Sequence, residues 1–369
     1  MTRSATQSLP NRLMNLLSRL LLRNDDKGSL SSVEALNSDI QNLSRAEFDE
    51  MLELANSNHV VVRAMDVLLH LAREAHDDTR AEWAFTAQAT ERARITTALT
   101  FLTQICDSFR EHGHDVTVIK SLDHWPDLGS DLDLYTDTKY QDVIRLMKTR
   151  FHAQLAPRSW GDRLARKWNF LIPGLPEAVE IHMGRLGQTG EQLVIASNIV
   201  KRSRCVLIGE HAFRVPSASD RLMISTLQRM YRHFYFRLCD IIDSAELADM
   251  GAIDYVDLQS SATDAGIWEG VATYLVIVSD YAKHYRGTGL DLPQFVRASA
   301  RFGGEEIYYN KEFLRVPIMP QSARLYGTQL AGMLRRRELH SSARLGLLPW
   351  LATAALVGQK LTGSDKGIW

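Results

Sequence analysis

The run Gly129-Ser130-Asp131-Leu132-Asp133-Leu134 constrains the chain more than any other segment. Side chains two apart in a strand share one face. Asp131 and Asp133 therefore point the same way, while Leu132 and Leu134 point the other way into a core. A strand of this kind, with one polar and one apolar face, is built into a sheet rather than left in a loop. Gly129-Ser130 forms a tight turn ahead of it, with backbone N–H groups free to approach an anion.

The flanking residues extend the pattern. Residues 116–119 are a β-branched run ending in Lys120, and a helical stretch over about 88–112 precedes them. Tyr140, Val143, Ile144 and Met147 after the motif have the spacing of one helix face. Residues 169–172, the turn Pro173-Gly174-Leu175-Pro176 and residues 178–183 predict a β-hairpin. Glu180 is central in its second strand, with His182 two residues on and therefore on the same face. A phosphate cradle beside hard carboxylate ligands suits a nucleotide carrying Mg²⁺ or Mn²⁺.

This order of elements, with a Gly-Ser pair before a strand carrying Asp-x-Asp and a later carboxylate strand, resembles the nucleotidyltransferase-fold superfamily. Val118-Ile119-Lys120, Glu180-Ile181-His182 and the helical second half resemble, over roughly residues 45–300, the bacterial family called uncharacterised nucleotidyltransferases. Ser121 follows Lys120 where that family usually has Gly. No Arg precedes the Asp-x-Asp, where Asp127-Leu128 stands, and Glu180 replaces an Asp.

The resemblance implies catalysis with Asp131, Asp133 and Glu180 as metal ligands and an NTP as donor substrate. Glu180 is also the candidate general base. Gly129, Ser130, Lys120 and His182 are the candidate nucleotide-binding residues. Ser130 is otherwise a plain turn serine, Lys120 a solvated strand-end lysine and His182 a structural histidine. The acceptor is open between a small molecule, a peptide or protein, and an RNA end. A phosphotransferase and a non-catalytic nucleotide- or partner-binding module are the alternatives.

His233, Arg237 and Asp240 are spaced as one helix face, and the resembling family carries a similar histidine and aspartate there. Trp125 and Trp160 are candidate base-stacking platforms, or else core or rim residues. Arg145, Lys148 and Arg150 read as a solvated helix face.

The expected fold class is α+β, with a small mixed sheet and a helical C-terminal part. The expected divisions are 1–90 (helical), 91–216 (nucleotidyltransferase core) and 217–369 (helical). Ser44 to Glu47 matches a capping box opening a helix, and helices are expected over about 58–76 and from Ser217 onward. Short strands are expected at 205–208 and 212–215, and a polar linker at 24–32. The 369 residues carry 43 Lys and Arg against 44 Asp and Glu, so any attraction to nucleic acid must be local.

Cys106, Cys205 and Cys239 are widely spaced, which argues against a disulfide scaffold or a structural zinc site and fits a cytoplasmic protein. No apolar run is long enough to span a membrane. Leu13, Leu16, Leu17 and Leu20 predict an amphipathic helix docked on the core, with a membrane surface as the alternative; the apolar stretch 345–357 poses the same question. The oligomeric state is left open.

Overall fold

The computed structural model describes residues 9–23 and 30–351 and is an α+β structure rich in helices. Residues 24–29 of the expected linker and residues 352–357 of the C-terminal apolar stretch lie outside the described residues. Residues 30–32 of that linker are already helical.

Five helices come first: α1 (Leu9–Leu22), α2 (Leu30–Gln41), α3 (Arg45–Ser57), α4 (Val61–Glu74) and α5 (Asp78–Glu111). Ser44 caps α3, its side chain accepting from the Glu47 backbone N–H while Glu47 reaches back to the Ser44 N–H. The leucine stripe of α1 faces inward, with Leu13, Leu16, Leu17 and Leu20 all buried. Each fully buried leucine contributes roughly 1.5–3 kcal/mol.

The main sheet has five strands: β1 (Thr117–Val118), β2 (Asp131–Thr136), β3 (Gln154–Leu155), β4 (Lys167–Leu171) and β5 (Ala178–Met183), in the order β1-β2-β5-β4-β3. β2 and β5 run parallel, and the other pairs are antiparallel. α6 (Tyr140–Phe151) follows β2, and α7 (Trp160–Ala165) precedes β4. Leu132, Leu134, Val179 and Ile181 turn to the buried face, where they pack with Leu102, Ile105 and Phe109 of α5.

α8 (Leu193–Lys201) leads to the hairpin of β6 (Arg204–Ile208) and β7 (His211–Val215). α9 (Ala218–Thr226) comes next, capped by Ser217. The helix does not continue as the periodicity suggested. A π-helical turn covers Leu227–His233, Phe234 takes a left-handed backbone with φ 55°, and β8 (Tyr235–Phe236) runs extended. α10 (Leu238–Asp249) then restarts the helix, with Arg237 as its N-cap residue. His233 and Arg237 therefore do not share a helix face. β8 pairs with β10 (Phe313–Arg315), which also pairs with β9 (Tyr308–Asn310). That pairing is a long-range contact that local periodicity cannot register.

Helix α5 runs unbroken through residue 90, so its first turns lie with the N-terminal helices and its last turns with the sheet. The N-terminal helices and those after β7 share one hydrophobic core, and the sheet has its own. Among the described residues, no helix is long and apolar enough to cross a membrane.

Candidate functional site

Register places the carboxylates. Across the parallel pair, Asp133 is the Cα partner of Glu180, Asp131 of Ala178 and Tyr135 of His182. Partners in a sheet project to one side, so Asp131, Asp133, Glu180 and His182 share a face. Ligand atoms of Asp133, Glu180 and His182 lie within 4.8 Å of one another. Asp131 stands outside that group, at the start of the strand and nearer solvent.

Two lysines reach into the carboxylates. Lys120 Nζ is paired with Asp133 and lies 3.5 Å from Glu180 Oε1. Lys167 Nζ lies 2.8 Å from Glu180 Oε2 and 3.3 Å from Asp162 Oδ1. Lys167 opens β4 opposite His182, so alternation along β4 puts it on the same face as Glu180. Lys120 has a left-handed φ of 62° and introduces a 3₁₀ turn, Ser121–His124, where the sequence suggested a plain strand end. A lysine at positive φ is uncommon. Ser121 holds the kink, its hydroxyl accepting from the Asp133 N–H at 2.7 Å and donating to the Asp131 carbonyl at 3.1 Å.

Burial and charge set the protonation. Burial pushes the Asp133 carboxyl up to about 7; Lys120 opposes this, while Glu180 and Asp131 reinforce it. Burial, then the Glu180 charge, raises Asp131 as well. For Glu180 burial also favours the neutral form, but Lys120, the His182 hydrogen bond and Lys167 outweigh it and hold the carboxylate ionised. His182 is lowered to about 4 by burial and is neutral, donating its Nε2–H to Glu180 Oε1 at 2.7 Å.

The turn ahead of β2 is fixed from outside. Arg94 of α5 donates to the Leu128 carbonyl at 3.1 Å and pairs with Glu91 and Glu177. Gly129 packs closely under the His59 ring, which a Cβ there would meet at 3.3 Å, so a larger residue would have to displace that ring slightly. Ser130 is exposed at the mouth of the site, on the rim of two adjoining cavities.

The face opens into a cleft of about 210 Å³ between the sheet and the π-helical turn. Lys120 and Lys167 line it from the sheet side, and Arg229, Arg232 and Arg237 line it from the helical side. Arg229 is held by Asp240 at 2.7 Å, whereas Arg232 and Arg237 form no ion pair with the described residues. A second cavity of about 420 Å³ shares His59, Gly129, Ser130 and Arg237 with the cleft.

No protein-family model and no curated protein matches this chain.

All seven site residues expected from the sequence sit at this face or on its rim: Lys120, Gly129, Ser130, Asp131, Asp133, Glu180 and His182. His233 and Arg237 also reach the cleft, though from separate elements, while Asp240 is buried as the partner of Arg229. Trp125 and Trp160 are exposed and do not line it. Arg145, Lys148 and Arg150 form an exposed face of α6. Sequence reading missed Lys167, Arg229, Arg232 and Tyr235. Lys167 was legible in principle, two residues before Asn169 on the predicted hairpin strand and so on the Glu180 side. The other three are brought in by the π-helical turn and β8, which leave no periodic signal.

Proposed function

We propose that this chain is a Mg²⁺-dependent nucleotidyltransferase. It moves a nucleoside monophosphate from an NTP to a hydroxyl or phosphate acceptor, on a nucleotidyltransferase-type sheet with a helical part after it. The observation carrying this reading is the parallel pairing of β2 and β5. It sets Asp131, Asp133 and Glu180 on one face, beneath the Gly129-Ser130 turn and inside a cleft walled by five cationic side chains.

The residues fit a hard divalent cation. Carboxylate oxygens are the preferred donors for Mg²⁺ or Mn²⁺. Asp131 forms no ion pair with the described residues, and Asp131, Asp133 and Glu180 raise one another's charge cost even with Lys120 and Lys167 beside them, which a divalent cation would offset. Asp131 and Asp133, with Glu180, would hold it. When bound, the ion neutralises the triphosphate and acidifies the attacking hydroxyl.

The remaining work falls to the protein. Arg232 and Arg237 are free to pair with phosphate oxygens, and Ser130 can donate to one. Glu180, kept ionised by Lys120, His182 and Lys167, accepts the acceptor's proton. The acceptor oxygen bonds to the α-phosphorus, and the bond from that phosphorus to the pyrophosphate oxygen breaks.

One observation favours a second reading. Lys120 already bridges Asp133 and Glu180, which suits a nucleotide-binding module without turnover. Pyrophosphate release from each of the four NTPs with Mg²⁺, alongside thermal shift, separates the two. Release that is lost in Glu180→Gln supports transfer. Metal-dependent thermal shift without release supports the binding module, and neither response to any NTP overturns both.

A further inference from the structure

A second cluster of ligand-type side chains lies on the other wall of the same cleft. His59 sits in the α3–α4 connection, His124 ends the 3₁₀ turn after Lys120, and Cys239 lies in the first turn of α10. We propose that His59, His124 and Cys239 form a second metal site, for a borderline transition ion such as Zn²⁺ rather than for Mg²⁺. The site is independent of the nucleotidyltransferase reading.

Three observations carry it. One ring nitrogen from each histidine and Cys239 Sγ lie within 4.8 Å of one another, and Sγ is 3.8 Å from His124 Nε2. Tetrahedral zinc, with bonds of about 2.3 Å to sulfur and 2.0–2.1 Å to nitrogen, separates those two atoms by roughly 3.6 Å. That edge is thus close to ligand spacing before any ion arrives.

The second observation is the group behind His124. Its Nδ1 is hydrogen-bonded to Asp243, which Arg63 holds at 2.7 Å. A carboxylate on one ring nitrogen fixes the tautomer and presents the other nitrogen's lone pair to a metal. The third is His59. Its Nδ1 is buried without a hydrogen-bond partner, in a ring wedged against Gly129.

Access is one-sided. His59 and His124 line the cleft, while Cys239 is fully buried behind them. An ion enters from the cleft, takes Cys239 at its back, and keeps a fourth position facing the cavity. Three protein ligands with one open position is the arrangement of a catalytic rather than a structural zinc. Binding expels two protons to solvent, the thiol proton as the metal–sulfur bond forms and the Nε2 proton of His124 as the metal–nitrogen bond forms, while Asp243 keeps the Nδ1 proton. Thiolate and imidazole select against Mg²⁺, and carboxylates favour it, so one cleft would hold two kinds of ion. The wide cysteine spacing could not reveal this set, because two of its three ligands are histidines.

The test is a Co²⁺ titration of the full chain, read by absorption. The expected result is tetrahedral d–d bands together with a near-ultraviolet thiolate-to-cobalt band, saturating at one equivalent. Cys239→Ser should abolish the thiolate band, and His59→Ala should weaken Co²⁺ binding at least about tenfold. Glu180→Gln should leave both intact, which separates this site from the carboxylates. His59 is at the cleft edge, so its variant decides the matter if Cys239→Ser does not fold. Cobalt binding without a thiolate band, a band that survives Cys239→Ser, or unchanged affinity in His59→Ala would overturn the proposal.

Discussion

Asp133 and Glu180 are register partners across the parallel strands β2 and β5, and Lys120 lies between their carboxylates. The pair gathers negative charge at one point of the sheet. Glu180→Gln keeps the shape and removes one charge and the proton acceptor. Transfer should fall by at least about 100-fold, the lower range for a lost acid–base group. The variant leaves Lys167 and His182 without their carboxylate, so its melting temperature should fall, while nucleotide affinity drops less than turnover because most of the loss falls on the transition state. Full activity in the Gln variant would remove Glu180 from the mechanism.

Nucleotide should bind with metal or not at all. An NTP at about 100 times its Kd should stabilise the fold by roughly 2.7 kcal/mol when Mg²⁺ or Mn²⁺ is present, and by much less in EDTA. Asp131→Asn should erase the difference between the two conditions. Differential scanning fluorimetry reads this directly, and equal shifts with and without metal would count against the carboxylate site.

Arg232 forms no ion pair with the described residues and faces the cleft. Arg232→Ala should therefore leave the melting temperature within about 2 °C, as a substitution that breaks no buried contact does. Its effect should appear in triphosphate affinity, weakened roughly tenfold by loss of one charge-assisted contact. Titration calorimetry with an NTP and Mg²⁺ measures it; an unchanged Kd would place the phosphates elsewhere.

His182 ties stability to pH. Its pKa in the fold is lowered to about 4, chiefly by burial, from the ordinary histidine value of 6.5. The unfolded chain thus takes up this proton first as pH falls below 6.5. The stabilisation is complete above pH 6.5 and is lost between there and about 4, at up to about 1.4 kcal/mol per pH unit. Asp133 acts in the opposite sense over part of this window, since its raised pKa lets the folded state bind a proton between about 7 and the ordinary aspartate value of 3.8. The difference between wild type and His182→Gln isolates the histidine. Denaturant melts from pH 7 to 4 should show a shallower acid loss in the variant.

Arg63 links three parts of the chain. From α4 its guanidinium donates to Asp127 at 2.8 Å and to Asp243 of α10 at 2.7 Å, with only 11% of its side chain exposed. Asp127 also accepts from the Val62 backbone N–H at 2.6 Å. Arg63→Met would strand two buried carboxylates and should cost about 3–5 kcal/mol, measured by urea denaturation. A cost below about 1 kcal/mol would show that water replaces the guanidinium.

Local chemistry in the chain determined the helices with strong stripes and caps, as at Ser44–Glu47. It also determined the hairpin leading to β5 and the shared face of Asp131 and Asp133. Each depends on neighbours within a few residues: a 3.6 or 2.0 period, a capping oxygen, a Pro-Gly turn. Tertiary structure alone decided that β5 lies beside β2 in parallel, which sets Glu180 opposite Asp133 rather than a residue away on the buried face. It also decided the break at His233–Arg237. There β8 leaves the helical path to pair with β10, some eighty residues later in the chain, and local periodicity carries no trace of that partner. The gathering of His59, His124 and Cys239 has the same origin, since side chains from three separate elements meet only once the N-terminal helices and α10 pack into one core.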